Sequence, residues 1–191
     1  MKKIVITGGL GYIGTELCKI YSGYSWNDII TVIDNRFVSE RVNQIRNWNM
    51  NFIQGDILDK EFIKKYCHDA DIVHHLAGIT DVPRVKSESS EDKNRLISQV
   101  AEEGTQNILD AIDNKCKIIM PSSHVVFEGV ENVKMNISED EKVNPVLSYG
   151  KSKAINEEQL KRSGKNYIIL RLGSVYGYSS DTARIDIMAN Y

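Results

Sequence analysis

The chain has 191 residues, 41 % of them hydrophobic and 26 % charged, with a formal net charge of −2. That length suits one domain with a sizeable core. The balance is ordinary for a soluble globular protein and gives no general electrostatic pull toward nucleic acid or an anionic membrane. Three dispersed cysteines, Cys18, Cys67 and Cys116, lack CxxC spacing. They suggest neither a disulfide framework nor a zinc site, so a reducing cytoplasm fits best. The N-terminal apolar run is too short for a signal peptide, and no stretch approaches the ~20 apolar residues of a membrane span.

Short apolar, β-branched runs recur at 3–7, 29–34, 51–55, 71–77, 117–122 and 167–172. Their apolarity is continuous rather than alternating, as in strands buried on both faces of a parallel sheet. Helical patterns separate most of them. Segment 14–23 places Leu17, Ile20 and Tyr21 on one face, and 59–67 opens on Asp59, a capping residue. Segment 94–113 carries Leu96, Val100, Ile108, Leu109 and Ile112, and 149–164 closes at Gly164. The polar stretch 35–50 reads as irregular or helical. Strands alternating with helices predict parallel pairing with right-handed crossovers. The expected fold is α/β, a Rossmann-type doubly wound parallel sheet of six to seven strands with helices on both faces. It should occupy residues 1–178, with 179–191 as a tail.

The first chemical signal is "IVITGGLGYIG". Gly9, Gly11 and Gly14 satisfy GxGxxG, while Gly8, Gly11 and Gly14 satisfy the wider GxxGxxG. Both spacings fall between a strand and a helix start, where glycines let backbone approach a pyrophosphate and the helix N-terminus offers N–H donors. Asp34 ends the next strand. An acid there accepts hydrogen bonds from an adenosine ribose and repels a 2′-phosphate, which favours NAD over NADP. Arg36 is the opposing signal, since a guanidinium can hold that phosphate; a solvated loop charge is the preferred reading.

Further along, "GDILD" (55–59), "HHLAG" (74–78), "SSHVVFEG" (122–129) and "YGKSK" (149–153) follow in order. With the glycine loop, this series resembles the extended short-chain dehydrogenase/reductase family, the NAD-dependent nucleotide-sugar epimerases and dehydratases in particular. UDP-glucose 4-epimerases are the most similar subgroup. The resemblance implies a site made of Gly8, Gly11, Tyr12, Ile13 and Gly14 at the phosphates, Asp34 and Asn35 at the adenosine ribose, Asp56 and Ile57 at the adenine, and Leu76, Ala77 and Gly78 beside the cofactor. It further implies that Tyr149 is the acid/base, that Lys153 holds the cofactor ribose and tunes Tyr149, and that Ser123 assists. The implied activity is epimerisation of a nucleotide sugar, a UDP-sugar by subgroup, through a transient 4-keto intermediate.

The residues have their own logic. A free tyrosine ionises near pH ~10, and a lysine one turn away favours the phenolate. Tyr149 and Lys153, at i and i+4, share a helix face. A same-family reductase, and a cofactor-binding module without turnover, are the alternative readings.

Several positions depart from the family pattern. Phe127 stands for the tyrosine of its VYG element, and Ala101 for the asparagine of its NVxGT. Thr80 stands where some epimerases carry lysine. His124–Val125 occupies the place of the Asp–Glu pair that 4,6-dehydratases carry, which argues against dehydration by that route. Members are also longer, with a C-terminal substrate domain holding the nucleotide; the resemblance implies that this chain lacks that portion. The family's dimer would use 94–113 and 149–164. His74 and His75 read as strand-packing residues and cofactor-side contacts rather than metal ligands, His124 as a candidate substrate contact, Glu128 as either site-facing or solvated, and Trp26 and Trp48 as packing residues.

Overall fold

The computed structural model describes residues 1–24, 27–80, 90–130, 135–177 and 179. Trp26, most of the tail 179–191 and part of the charged run 87–95 lie outside the described residues.

Among the described residues six strands build one sheet: β1 (Lys3–Thr7), β2 (Ile29–Asp34), β3 (Asn51–Gln54), β4 (Ile72–His75), β5 (Lys117–Ser123) and β6 (Asn166–Leu172). All pairs are parallel, in the order β3-β2-β1-β4-β5-β6. This is the doubly wound order, whose direction reverses between β1 and β4. The α-helices described between the strands are α1 (Tyr12–Tyr24), α2 (Ser39–Asn47), α3 (Lys60–Cys67), α4 (Glu91–Ala111) and α5 (Ser148–Arg162).

Alternate residues along each inner strand feed opposite faces. Val5, Ile33, Val73 and Ile118 join a core with Ile63 of α3, Ile108 and Leu109 of α4, and Leu160 of α5. Ile4, Ile6, Ile30 and Val32 join another with Cys18 of α1 and Val42 and Ile45 of α2. Two buried faces explain why the strands read as unbroken apolar runs. β6 differs: it ends the sheet order, and its Ile168 and Leu170 are exposed.

Element boundaries follow local chemistry. The Asp59 side chain accepts from the Phe62 N–H at 3.0 Å, as the sequence suggests for a cap. α4 begins earlier than its apolar pattern, because the Ser90 hydroxyl accepts from the Lys93 N–H. α5 stops at Arg162, and Gly164 takes φ +67° just beyond it. The polar stretch 35–50 contains α2, whose only buried side chains are Val42 and Ile45. Two apolar positions are too few to register as a helical stripe.

Candidate functional site

Strand ends β1, β2, β4 and β5 open onto one cleft of about 1100 Å³. It lies at the carboxyl ends of the strands beside the switch point, where ligands of open α/β sheets bind. Its glycine wall is built from close approaches. Gly8 has φ +69°, and a Cβ there would stand 2.6 Å from the Ala77 nitrogen. A Cβ on Gly14 would meet the Gly8 carbonyl oxygen at 2.5 Å. Gly8, Gly11 and Gly14 line the cleft, whereas Gly9 faces away, against Val32. The wider spacing therefore makes the cradle, and Gly9 serves packing. Tyr12 and Ile13 open α1 on the same wall, where first-turn N–H groups have no intrahelical acceptor.

At the far end, Asp34 is 5 % exposed. One carboxylate oxygen accepts from the Leu10 N–H at 3.0 Å, and the other from the Arg36 N–H at 3.1 Å. The Arg36 guanidinium lies 3.4 Å from the second oxygen while remaining largely exposed. Asp34 thus tethers the glycine loop as well as facing the cleft, and Arg36 is its partner rather than a free charge. The Arg41 guanidinium donates to the Leu10 carbonyl, another tie on that loop that the sequence did not single out. Asn35 donates to Asp56 at 3.2 Å, whose other oxygen accepts from the Leu58 N–H at 2.9 Å. Ile57 completes this wall, while Leu76, Ala77 and Gly78 run from beside Gly8 toward Lys153: a Cβ on Gly78 would stand 3.9 Å from the Lys153 Nζ.

Tyr149, Lys153 and Ser123 line the same cleft. The Lys153 Nζ sits 5.8 Å from the Tyr149 ring centroid and donates to the Pro121 carbonyl at 3.1 Å. Burial pulls the Lys153 amine down to about 8. The Ser123 hydroxyl oxygen accepts from the Val125 N–H at 3.4 Å, leaving its own proton available to donate.

Two buried networks hold this part of the fold together, and neither stood out in the sequence. Glu157, 2 % exposed, accepts two hydrogen bonds from Arg171 (2.9 and 2.7 Å) and one from Ser122 (2.6 Å). One carboxylate thereby joins α5, β5 and β6. In the second network, His75 bonds Thr7 and Thr105, each at 3.0 Å, and Asn156 donates to Thr105 at 2.9 Å. That chain runs from the glycine loop's strand to the helix of Tyr149. Burial, aided by the Lys153 charge, pushes the His75 imidazole down to about 3, so it stays neutral. His74 bonds the Tyr21 hydroxyl at 2.7 Å, and burial pulls it to about 4. Both imidazoles are buried and held by these hydrogen bonds. Glu128 points away from the chemistry: it accepts from the Val146 N–H at 2.6 Å and from the Leu147 N–H, fixing the entry to α5. Among the described residues, no group of three His, Cys, Asp or Glu could hold a metal ion, and no helix is long and apolar enough to cross a membrane.

The site therefore pairs a glycine cradle and two acidic side chains with a hydroxyl, a phenol and an amine. Open backbone where Cβ atoms would collide, together with helix N–H donors and Asp34, fits an extended dinucleotide such as NAD.

Comparison with known proteins agrees with this arrangement. The NAD dependent epimerase/dehydratase family matches residues 4–190. A UDP-glucose 4-epimerase from Lactobacillus helveticus is 30 % identical over 189 residues, covering 94 % of this chain and 53 % of that protein. The crystal structure of UDP-glucose 4-epimerase from Brucella ovis in complex with NAD superposes with a TM-score of 0.75 at 28 % identity, covering 94 % of this chain and 54 % of that one. The UDP-N-acetylglucosamine 4-epimerase of Methanobrevibacter ruminantium, in complex with UDP-N-acetylmuramic acid, gives 0.74 at 28 % identity, over 96 % and 60 %. The chain thus spans about half the length of the relatives it matches. With the family's pattern running from β1 past β6, this chain belongs to the NAD dependent epimerase/dehydratase family.

Proposed function

We propose that this chain forms the NAD-binding and reaction half of an epimerase-like enzyme acting on a nucleotide sugar, a UDP-sugar by the company of its relatives. The carrying observation is the placement of Tyr149, Lys153 and Ser123 in the same cleft as the glycine cradle. NAD, when bound, supplies a reversible hydride acceptor. The Gly8–Gly14 loop and the first turn of α1 hold its phosphates, Asp34 and Asn35 its adenosine ribose, and Asp56 and Ile57 its adenine. Leu76, Ala77 and Gly78 shield the reacting end from water. Tyr149 removes the proton of the sugar's 4-hydroxyl and returns one to the transient 4-keto sugar after it turns over its other face. Lys153 favours the phenolate of Tyr149 through its charge and holds the cofactor ribose, while Ser123 donates to the sugar oxygen. The enzyme works in the cytoplasm, as a homodimer through the outer faces of α4 and α5.

A second reading follows from the length. Relatives are about twice as long, so this chain alone binds the cofactor without turnover if the sugar nucleotide requires the other half. One experiment separates the two. Purified protein should carry NAD, identified by mass and absorbance, and should interconvert UDP-glucose and UDP-galactose. Tyr149→Phe should retain NAD and lose turnover by about a thousandfold or more. Full activity in that variant would remove Tyr149 from the mechanism, and absence of any affinity for NAD would remove both readings.

A further inference from the structure

His124 is the first residue past β5, next to Ser123, and it is exposed in the cleft that holds Tyr149 and Lys153. Its Nδ1 lies 3.3 Å from the Leu172 carbonyl oxygen. A carbonyl only accepts, so Nδ1 carries a proton. In the neutral ring this leaves Nε2 as an acceptor, and among the described residues Nε2 has no partner. The ring is therefore held by the end of β6 with its acceptor edge unused. Metal binding does not explain it, since no ligand cluster forms among the described residues.

The surroundings sharpen the point. A smaller cavity of about 470 Å³ adjoins the cleft, and among the described residues only His124 and Val125 line both. Two charged groups that line the smaller cavity, Arg171 and Glu128, are already occupied. Arg171 is held by Glu157 and by the Glu139 carbonyl, and Glu128 is held by the Val146 and Leu147 N–H groups. At the partition between the two spaces, His124 is the polar side chain with an open acceptor.

We propose that His124 is a specificity-determining residue, whose Nε2 accepts a hydrogen bond from a sugar hydroxyl flanking the carbon that Tyr149 acts on. It rests on the epimerase-like reading above. The ligand feature it selects is a hydroxyl donor flanking the reacting carbon, either on the ring carbon beside it or on the hydroxymethyl group of its other neighbour. A substrate lacking that hydroxyl leaves Nε2 desolvated and unpaired, the situation in which polar sites discriminate strongly.

The test uses the protein expressed in full, loaded with NAD, and three probes: UDP-glucose, UDP-3-deoxyglucose and UDP-xylose, which lacks the hydroxymethyl group. Wild type should prefer UDP-glucose over one of the two analogues by about tenfold or more in kcat/KM. His124→Phe should erase that preference while leaving NAD affinity within about twofold. His124→Asn can still donate to Leu172 but has no acceptor at the Nε2 position, and it should behave like the phenylalanine variant. A purely structural role, in which His124 only ties β5 to β6, would lower all three probes alike and keep their ratio. An unchanged ratio in both variants therefore overturns the proposal, as does a wild type that treats the three probes equally. If the NAD-loaded protein binds UDP-glucose without turning it over, the same ratios are read from calorimetric Kd values. Turnover or binding with unchanged ratios defeats only His124's role. NAD-loaded protein that neither binds nor turns over UDP-glucose defeats the epimerase-like reading and this proposal together.

Discussion

Glu157→Ala should be the costliest single change outside the hydrophobic core. The carboxylate is 2 % exposed and accepts two bonds from Arg171 and one from Ser122. Deleting it leaves a guanidinium, 14 % exposed, without its carboxylate partner. Removing one member of a buried pair costs about 3–5 kcal/mol. Arg171 keeps its bond to the Glu139 carbonyl at 2.7 Å and its stacking over Phe127 at 5.0 Å, and water reaches its edge. The expected loss is therefore at the low end, about 3 kcal/mol. With a urea m-value of about 2 kcal/mol/M, the unfolding midpoint should fall by about 1.5 M. Glu157→Gln keeps an acceptor for Ser122 and should cost about half as much. The pH dependence has a definite sign. Burial pushes the Glu157 carboxyl up, but Arg171 and Ser122 outweigh it, and the folded value lies below the ordinary 4.5. A carboxylate depressed in the folded state contributes stability above its unfolded value and loses it as pH falls through the folded one. The gap between wild type and Glu157→Gln should thus be full at pH 7 and shrink below about pH 4.5. A midpoint shift under about 0.4 M for Glu157→Ala, at unchanged m, would refute this account of the junction.

The remaining predictions concern the cleft. Gly14→Ala puts a Cβ 2.5 Å from the Gly8 carbonyl oxygen and 2.7 Å from the Gly9 Cα, backbone atoms that cannot yield cheaply. It should weaken NAD binding by at least about tenfold in a calorimetric titration and cost about 1–3 kcal/mol of stability; unchanged affinity would mean the loop is not the phosphate cradle. Lys153→Met should abolish turnover, and it should also change the pH profile of stability in the cofactor-free protein. Burial lowers the Lys153 amine from 10.5 to about 8, so the penalty for holding it charged is present in full below pH 8 and is relieved as pH rises to 10.5. The melting-temperature advantage of the methionine variant should accordingly be largest at pH 7 and narrow toward pH 10.5, and a constant difference would contradict the lowered value.

Local sequence settled a large share of this protein. Continuous apolar runs specify strands buried on two faces, and interleaved helices then demand parallel pairing, because only a crossover returns the chain to the same edge. Gly8, Gly11 and Gly14 declare a close-approach loop, since a Cβ at Gly8 or Gly14 would collide with backbone and one at Gly11 would crowd the Gly8 carbonyl oxygen. The i, i+4 spacing of Tyr149 and Lys153 places both on one face of α5 from periodicity alone. Tertiary structure decided what pairs with what across the chain. Gly9 and Gly11 satisfy the same motif, and only the packing of Val32 shows which glycine faces away from the cleft. Glu157 and Arg171 read as ordinary charges, yet 14 residues apart in sequence they meet at the junction of three elements. Nothing local announces that His75, Thr105 and Asn156 are linked, because a hydrogen-bonded chain across β4, α4 and α5 exists only once the sheet order is formed. Short-range periodicity fixes which way a side chain faces on its own element. Which partner it meets is set by the register of strands and helices distant in sequence, and that is a property of the packed fold.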